Sequence, residues 1–209
     1  MTGLIIAGTD TDIGKTVFAA MLTQALSGIY FKPIQAGLEE ETDTQTVKRL
    51  TGLGDKHFLP EIYKLNTPAS PHLAAELDGV NIETNRLVLQ KNLGKQLIVE
   101  TAGGLLVPLT RKVLQIEVIK TWGLPVILCA RTSLGTINHT LLSVNALKQH
   151  NIPLLGIAFI GDETEDTQRT IIEFSGAKRL GRLNILPELS AQTLKAAFDA
   201  QFNLRDFTF

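Results

Sequence analysis

Four continuous apolar runs punctuate this sequence: LIIAG at residues 4–8, LIVETAG at 97–103, PVILCAR at 125–131 and PLLGIAFIG at 153–161. None alternates apolar with polar residues. A strand with one wet face alternates. A strand covered on both faces does not, and such strands belong to parallel sheets flanked by helices. A fifth, weaker strand is expected at IYFKPI, residues 29–34. Helical patterns fill the gaps. KTVFAAMLTQALS, residues 15–27, is apolar on one side and stops at Gly28. Residues 137–149 and 166–174 also read as helices. SPHLAAEL, residues 70–77, offers Ser70 as an N-cap and Pro71 at the first helical position. Strand and helix alternate, which predicts an α/β fold: a mostly parallel, doubly wound sheet with helices on both faces. No repeat, low-complexity tract or linker interrupts the pattern, so one domain over residues 1–209 is expected.

Composition narrows the function. The 20 basic and 21 acidic residues leave a formal net charge of -1, which offers no bulk attraction for nucleic acid. No apolar stretch reaches the roughly 18 residues of a membrane span. The N-terminal MTGLIIAG lacks the basic start and the length of a signal peptide. A cytoplasmic protein with neither membrane nor nucleic-acid partner is expected. The single cysteine, Cys129, excludes an intramolecular disulfide and reads as a buried, inert thiol.

Ligands of doubly wound sheets gather at the carboxyl ends of the strands, and every unusual polar cluster here follows a strand end. GTDTDIGKT, residues 8–16, follows the first strand and opens the first helix. That is the setting of a phosphate-binding loop, and it makes the expected fold P-loop NTPase-like. The leading glycine is one step early, at Gly8, where the usual spacing expects it at Thr9. Backbone N–H groups of such a loop hold phosphate oxygens. Lys15 would reach the β and γ phosphates, and Thr16 would offer its hydroxyl to Mg²⁺. Lys32, in FKPIQAG, lies at the sheet's ligand edge. The polar stretch GLEEETDTQ, residues 37–45, is expected as a loop leading into a helix, and it carries Asp43. Glu100 ends a buried strand, where a carboxylate is costly unless paired or metal-bound. Thr16, Asp43 and Glu100 together form an oxygen set of the kind Mg²⁺ takes. Ala102, Gly103 and Gly104 would let a ligand approach the backbone closely. In ARTSLGTINHT, the helix start after Gly135 suits an anion such as a carboxylate. His139 is expected to be packed and hydrogen-bonded.

Taken in order, GTDTDIGKT, KPIQAG, Thr42-Asp43, SPHLAAE, ETAGGLLVPL and RTSLGTINHTLL resemble the dethiobiotin synthetases, from residue 3 to around residue 160. The resemblance implies an ATP-dependent carboligase of biotin synthesis. Its substrates would be 7,8-diaminononanoate, CO2 or bicarbonate, and ATP, with Mg²⁺. One amine captures CO2 as a carbamate, ATP phosphorylates it, and the second amine closes the ureido ring. The resemblance makes Lys32 the active-site lysine, with Lys15 and Thr11 also at the reacting end. It makes Thr16, Asp43 and Glu100 the metal ligands. Thr11, Asp12, Ile13, Gly14, Lys15, Thr16 and Val17 match the nucleotide loop. Thr101, Ala102 and Gly103 join Asp43 and Glu100 around the nucleotide. Ala36 and Gly104 face the substrate. Gly135, Thr136, Ile137 and Asn138 match a turn that binds the substrate's carboxylate tail across a homodimer interface.

Three positions depart from the family pattern. Ala36 stands where serine or threonine is usual, leaving Gln35 or backbone to compensate. Thr101 replaces the first glycine of Glu-Gly-Ala-Gly-Gly. Ile160, followed by Gly161, stands where an asparagine reads adenine, which opens the site to other nucleoside triphosphates. In the divergent last third, Leu186, Pro187 and Glu188 match the second base-binding segment. Two other readings compete. A switch ATPase of the partition or nitrogenase-iron-protein type carries an extra lysine five residues before Lys15, and Asp10 is there instead. A related amide ligase would keep the phosphoryl chemistry but lack the GTINHTLL tail site. Asp10 is expected to pair with a nearby lysine or a substrate ammonium, and Asp12 to face away near the positive helix end.

Overall fold

The computed structural model describes residues 2–208. Strands β1 (Gly3–Gly8), β2 (Ile29–Phe31), β4 (Phe58–Leu59), β6 (Leu97–Gly104), β7 (Val126–Arg131), β8 (Leu154–Ile160) and β9 (Arg179–Leu183) form one seven-stranded sheet. Its order is β4-β2-β6-β1-β7-β8-β9, and every pairing is parallel. Helices α1 (Lys15–Leu26), α2 (Asp43–Thr51) and α7 (Ala191–Gln201) cover one face. Helices α4 (Gln115–Trp122), α5 (Thr136–Gln149) and α6 (Glu165–Ser175) cover the other.

The continuous apolar runs follow from this burial. In β1, Leu4 and Ile6 join the core under α1, while Ile5 and Ala7 join the core under α4 and α5. Both sides are dry, so neither set can be polar. The first core ends in an aromatic cluster that ties down the C-terminal segment. Phe202 packs 5.6 Å from Phe18 and 5.8 Å from Phe198, and Phe207 lies 6.2 Å from Phe202. Truncating one of these rings to alanine costs about 3–5 kcal/mol.

The strand expected at residues 29–34 is two strands in two sheets. β2 ends at Phe31, and β3 (Ile34–Ala36) pairs with β5 (Tyr63–Leu65) in a small separate sheet. Pro33 causes the break, because it has no N–H to donate to a ladder. Its carbonyl instead accepts from the N–H groups of Ile62 and Tyr63. The chain is thereby redirected between Lys32 and Ile34, over the carboxyl edge of the main sheet. α3 (Pro71–Leu77) packs on the small sheet through Ala74 and Ala75. Pro71 is its first residue, as expected. Ser70 occupies the N-cap, but its hydroxyl bonds His72 rather than the helix backbone. The acidic loop does lead into a helix: Thr42 caps α2 reciprocally with Gln45, and Asp43 is its first residue. No helix among the described residues is long and apolar enough to cross a membrane.

Candidate active site

The loop after β1 wraps around its own lysine. Thr9 N–H donates to the Cys129 carbonyl of β7 at 3.0 Å, anchoring the loop to the sheet. Lys15, the first residue of α1, turns back so that its Nζ donates to the Asp10 carbonyl at 2.8 Å. Its stem passes over Gly8. A Cβ at that position would lie 2.9 Å from both the Lys15 Cδ and the Asp10 carbonyl oxygen, and 2.8 Å from Ile13. The early glycine is therefore required by close approach. Lys15 is buried, and burial pulls its pKa down. Lys32 lowers it further, while Glu100, Cys129 and Asp43 oppose the shift.

A second group of buried charges sits beside it. Lys32 is 4% exposed and Glu100 is 1% exposed, which is tolerable only with full pairing. All three Lys32 hydrogens have acceptors: Asp43 Oδ2 at 2.7 Å, Glu100 Oε1 at 3.0 Å and the Thr101 carbonyl at 3.3 Å. Burial alone would lower the Lys32 pKa, but Glu100 and Asp43 outweigh it and the net direction is up. For Asp43 burial pushes upward, yet Lys32, Thr16 and Lys15 together hold its pKa below 3.8. Tyr30 Oη donates to the second Glu100 oxygen at 2.8 Å, and burial next to that carboxylate raises the phenol's pKa.

Thr16 Oγ1 lies 2.9 Å from Asp43 Oδ1 and 2.9 Å from Glu100 Oε1. One hydroxyl has one proton, so it cannot fully satisfy both carboxylates. Three oxygens from three elements thus converge, with Lys32 supplying Glu100 Oε1 with the hydrogen that Thr16 cannot give to both. That donor set fits a small hard cation such as Mg²⁺.

These groups open into a cleft of about 940 Å³. Of the residues singled out from the sequence, Thr11, Asp12, Ile13, Gly14, Lys15, Thr16, Lys32, Ala36, Asp43, Glu100, Ala102 and Gly103 line it. The others lie outside its wall. Val17, in the first turn of α1, packs partly buried against the core. Thr101 turns its hydroxyl to the Ile6 carbonyl at 3.2 Å and offers only its own carbonyl to Lys32. Gly104 sits behind the cleft, against the backbone of Gly8 and Thr9. Ile160, at the end of β8, is buried against Gly14, with Gly161 just beyond it. Leu186, Pro187 and Glu188 follow β9, and Leu186 packs on the core beneath α1. Gly135 caps α5, and Thr136, Ile137 and Asn138 begin it.

Three expectations require correction. Asp10 pairs with the Arg131 guanidinium at the end of β7 and not with a lysine side chain. Lys15 reaches only its backbone carbonyl. Asp12 is exposed and borders the cleft instead of facing away. His139 is exposed, and its ring has no hydrogen-bond partner among the described residues, because the buried stripe of α5 runs through Thr136, Thr140, Val144 and Leu147. The cysteine expectation holds: Cys129 is fully buried and burial pushes its thiol pKa up.

Two participating residues, Tyr30 and Gln115, had escaped the sequence reading, and Gln35 had figured there only as a possible compensation for Ala36. Tyr30 carries a usable signal, since strand alternation puts it on the same face as Lys32 two residues on. Gln35 is buried and accepts from the Asp43 N–H at 3.1 Å, fixing the start of α2. Gln115 binds the β6 turn from behind and has no local signature.

Comparison with known proteins agrees with this geometry. A family model described as an AAA domain matches residues 2–193. The ATP-dependent dethiobiotin synthetase BioD of Rhodopseudomonas palustris strain HaA2 is 58% identical over 204 residues, covering 98% of this chain and 95% of the relative. The protein of the same name from Agrobacterium fabrum strain C58 is 56% identical over 203 residues, covering 97% and 95%. Among solved structures, the MinC:MinD cell division protein complex of Aquifex aeolicus superposes with a TM-score of 0.54 at 13% identity, over 94% of this chain and 86% of that one. A ParA family ATPase from Chlorobium tepidum TLS gives 0.54 at 13% identity, over 95% and 91%. At that identity the two structures share the fold and no more. With relatives this similar over nearly the whole chain, the protein belongs to the ATP-dependent dethiobiotin synthetase family.

Proposed function

We propose that this cleft closes the ureido ring of dethiobiotin from 7,8-diaminononanoate, CO2 and ATP. The observation that carries the reading is Lys32, held between Asp43 and Glu100 within the cleft that Lys15 also lines. A carbamate and a γ-phosphate are both anionic. Bringing them together needs fixed positive charge in a water-poor site. Lys32 stays protonated there because its carboxylate neighbours raise its pKa. Lys15 would hold the β and γ phosphates, with the Gly8 to Thr16 backbone cradling them. Thr16, Asp43 and Glu100 would hold Mg²⁺, which offsets phosphate charge when bound. Thr11 lines the cleft and would face the reacting end of the substrate.

The steps balance as follows. One substrate amine adds to CO2 and loses a proton, giving a carbamate. A carbamate oxygen attacks the γ-phosphorus, and ADP leaves. The second amine attacks the carbamoyl carbon, phosphate departs with the C–O electron pair, and a proton is released. Lys32 and Lys15 act by stabilising the anions on either side of the transferring group.

The tail-binding reading requires a second copy of the chain. Gly135, Thr136, Ile137 and Asn138 do not line the cleft, and Leu134 and Ile137 beside them are exposed. An exposed apolar helix start is suited to a homodimer contact that brings this anion-binding turn to the partner's cleft. Omission assays test the core of the reading. Phosphate release should need nucleotide, Mg²⁺, diaminononanoate and bicarbonate together. Lys32→Ala should abolish it, and full turnover by that variant would remove Lys32 from the mechanism.

A further inference from the structure

β6 leaves the sheet through a bulge. Ile6 pairs with Glu100 and Gly8 pairs with Gly104, so Thr101, Ala102 and Gly103 together face the single residue Ala7. Extra residues of this kind lose their ladder partners and re-aim the strand end. Gly103 takes up the turn at φ 65°, in the region that favours glycine. The bulge frees backbone groups that must be satisfied elsewhere. Two of them go to one side chain. Ala102 N–H donates to Gln115 Oε1 at 3.0 Å, and Gln115 Nε2 donates to the Gly104 carbonyl at 2.8 Å.

Gln115 is held in place for this. It is the first residue of α4, 4% exposed, and its own N–H donates to the Val107 carbonyl at 2.9 Å. Its amide stands in for the missing neighbouring strand. The other side of the bulge is the cleft wall. Ala102 and Gly103 line it, and a Cβ on Gly103 would come within 3.3 Å of Thr11 Oγ1. The Thr101 carbonyl within the same bulge accepts from Lys32. The clearance between the phosphate loop and β6 is therefore set where Gln115 grips the backbone. Gln115 makes no hydrogen bond to Thr16, Asp43 or Glu100.

We propose that Gln115 is a positioning residue: by clamping the β6 bulge against Thr11 and Lys32 it fixes where the reacting end of the diamine, and its carbamate, lie relative to the transferring phosphate. The proposal rests on the ring-closure reading of the cleft. It assigns the bulge that Gln115 grips to the diamine side of the site, whereas the family resemblance sets Ala102 and Gly103 beside the nucleotide, and the kinetic split between the two substrates decides which.

The test is steady-state kinetics of full-length Gln115→Met, which keeps length and burial but cannot make either bond. A misplacement of about 1 Å costs on the order of 100-fold in rate. The expected result is a 10- to 100-fold fall in kcat, with a raised KM for diaminononanoate and a nucleotide KM within about 2-fold of wild type. Gln115→Glu keeps an oxygen for the Ala102 N–H and offers none of the N–H donors that Gly104 needs. It should show the same split and serves if the methionine variant does not fold. Wild-type values for both diamine parameters would overturn the proposal. So would equal losses in nucleotide binding and turnover, the mark of a merely structural role. Failure of the ring-closure reading would show separately, as a wild-type enzyme with no diamine-dependent phosphate release.

Discussion

Tyr30 Oη donates to Glu100 Oε2 at 2.8 Å, leaving Glu100 Oε1 to face Thr16 and Lys32. The phenol thus sets which edge of a buried carboxylate points into the cleft. Tyr30→Phe should leave Oε2 without a partner and cost about 1–3 kcal/mol of stability. Groups that orient metal ligands typically matter 10- to 100-fold in metal affinity, so binding of Mg²⁺ with nucleotide should weaken by about that factor. Denaturant unfolding and calorimetric titration check the two parts. Unchanged affinity would remove Tyr30 from the orienting role.

Lys32→Met removes the cation from between Asp43 and Glu100. Breaking a buried pair from one side typically costs about 3–5 kcal/mol. The low end is expected, because the Asp43 side chain is 30% exposed and water screens it. Mg²⁺ should then raise the melting temperature of this variant more than that of wild type, since a second cation can take the vacated charge role. Equal Mg²⁺ shifts in the two proteins would argue against the shared carboxylate site.

Acid should loosen the protein through Asp43. Its folded pKa is depressed: burial works the other way, and Lys32, Thr16 and Lys15 win. A depressed carboxylate contributes stability that is present above the unfolded value of 3.8 and is lost as pH falls through the folded value. Between those two values the unfolded chain binds more protons, so stability should rise with pH. Asp43→Asn should flatten this acid limb in denaturant midpoints measured between about pH 2.5 and 5. Parallel limbs would mean that Asp43 contributes nothing to it.

Ile160 is buried against Gly14 and has no polar group with which to read a base edge. Sites that hydrogen-bond a distinguishing group can discriminate by about 10⁴–10⁵, whereas apolar contact gives roughly 10–200-fold. ATP, GTP, CTP and UTP should therefore differ in kcat/KM by less than about 100-fold. A nucleotide panel in the phosphate-release assay measures this directly. Strict ATP preference would place the base-reading group elsewhere, outside the end of β8.

The sequence was legible where physics leaves few options. β1, β7, β8 and the first half of β6 are buried on both faces, so their runs are apolar up to the strand ends. The phosphate loop, Lys32 and Glu100 stood out by spacing or by the cost of burying charge, while Asp43, in an acidic loop, stood out only in company with Thr16 and Glu100. The edge strand β9 was not legible, because RLGRL places Arg179 in solvent and Arg182 against the Gly161 carbonyl. Nor was the break at Pro33, where one proline separates two sheets. Partner identity was hardest. Asp10 found Arg131 across 121 residues of chain, and Gln115 found a bulge that exists only because β6 and β1 fall out of register. Such pairings depend on where strands stop, which local pattern does not encode.

Carbon tracing tests the central claim most directly. Enzyme, Mg²⁺, ATP, 7,8-diaminononanoate and isotopically labelled bicarbonate should yield dethiobiotin carrying the label in its ureido carbon, with one phosphate released per ring closed. Phosphate release without label in the product, or release with neither diamine nor bicarbonate present, would contradict it.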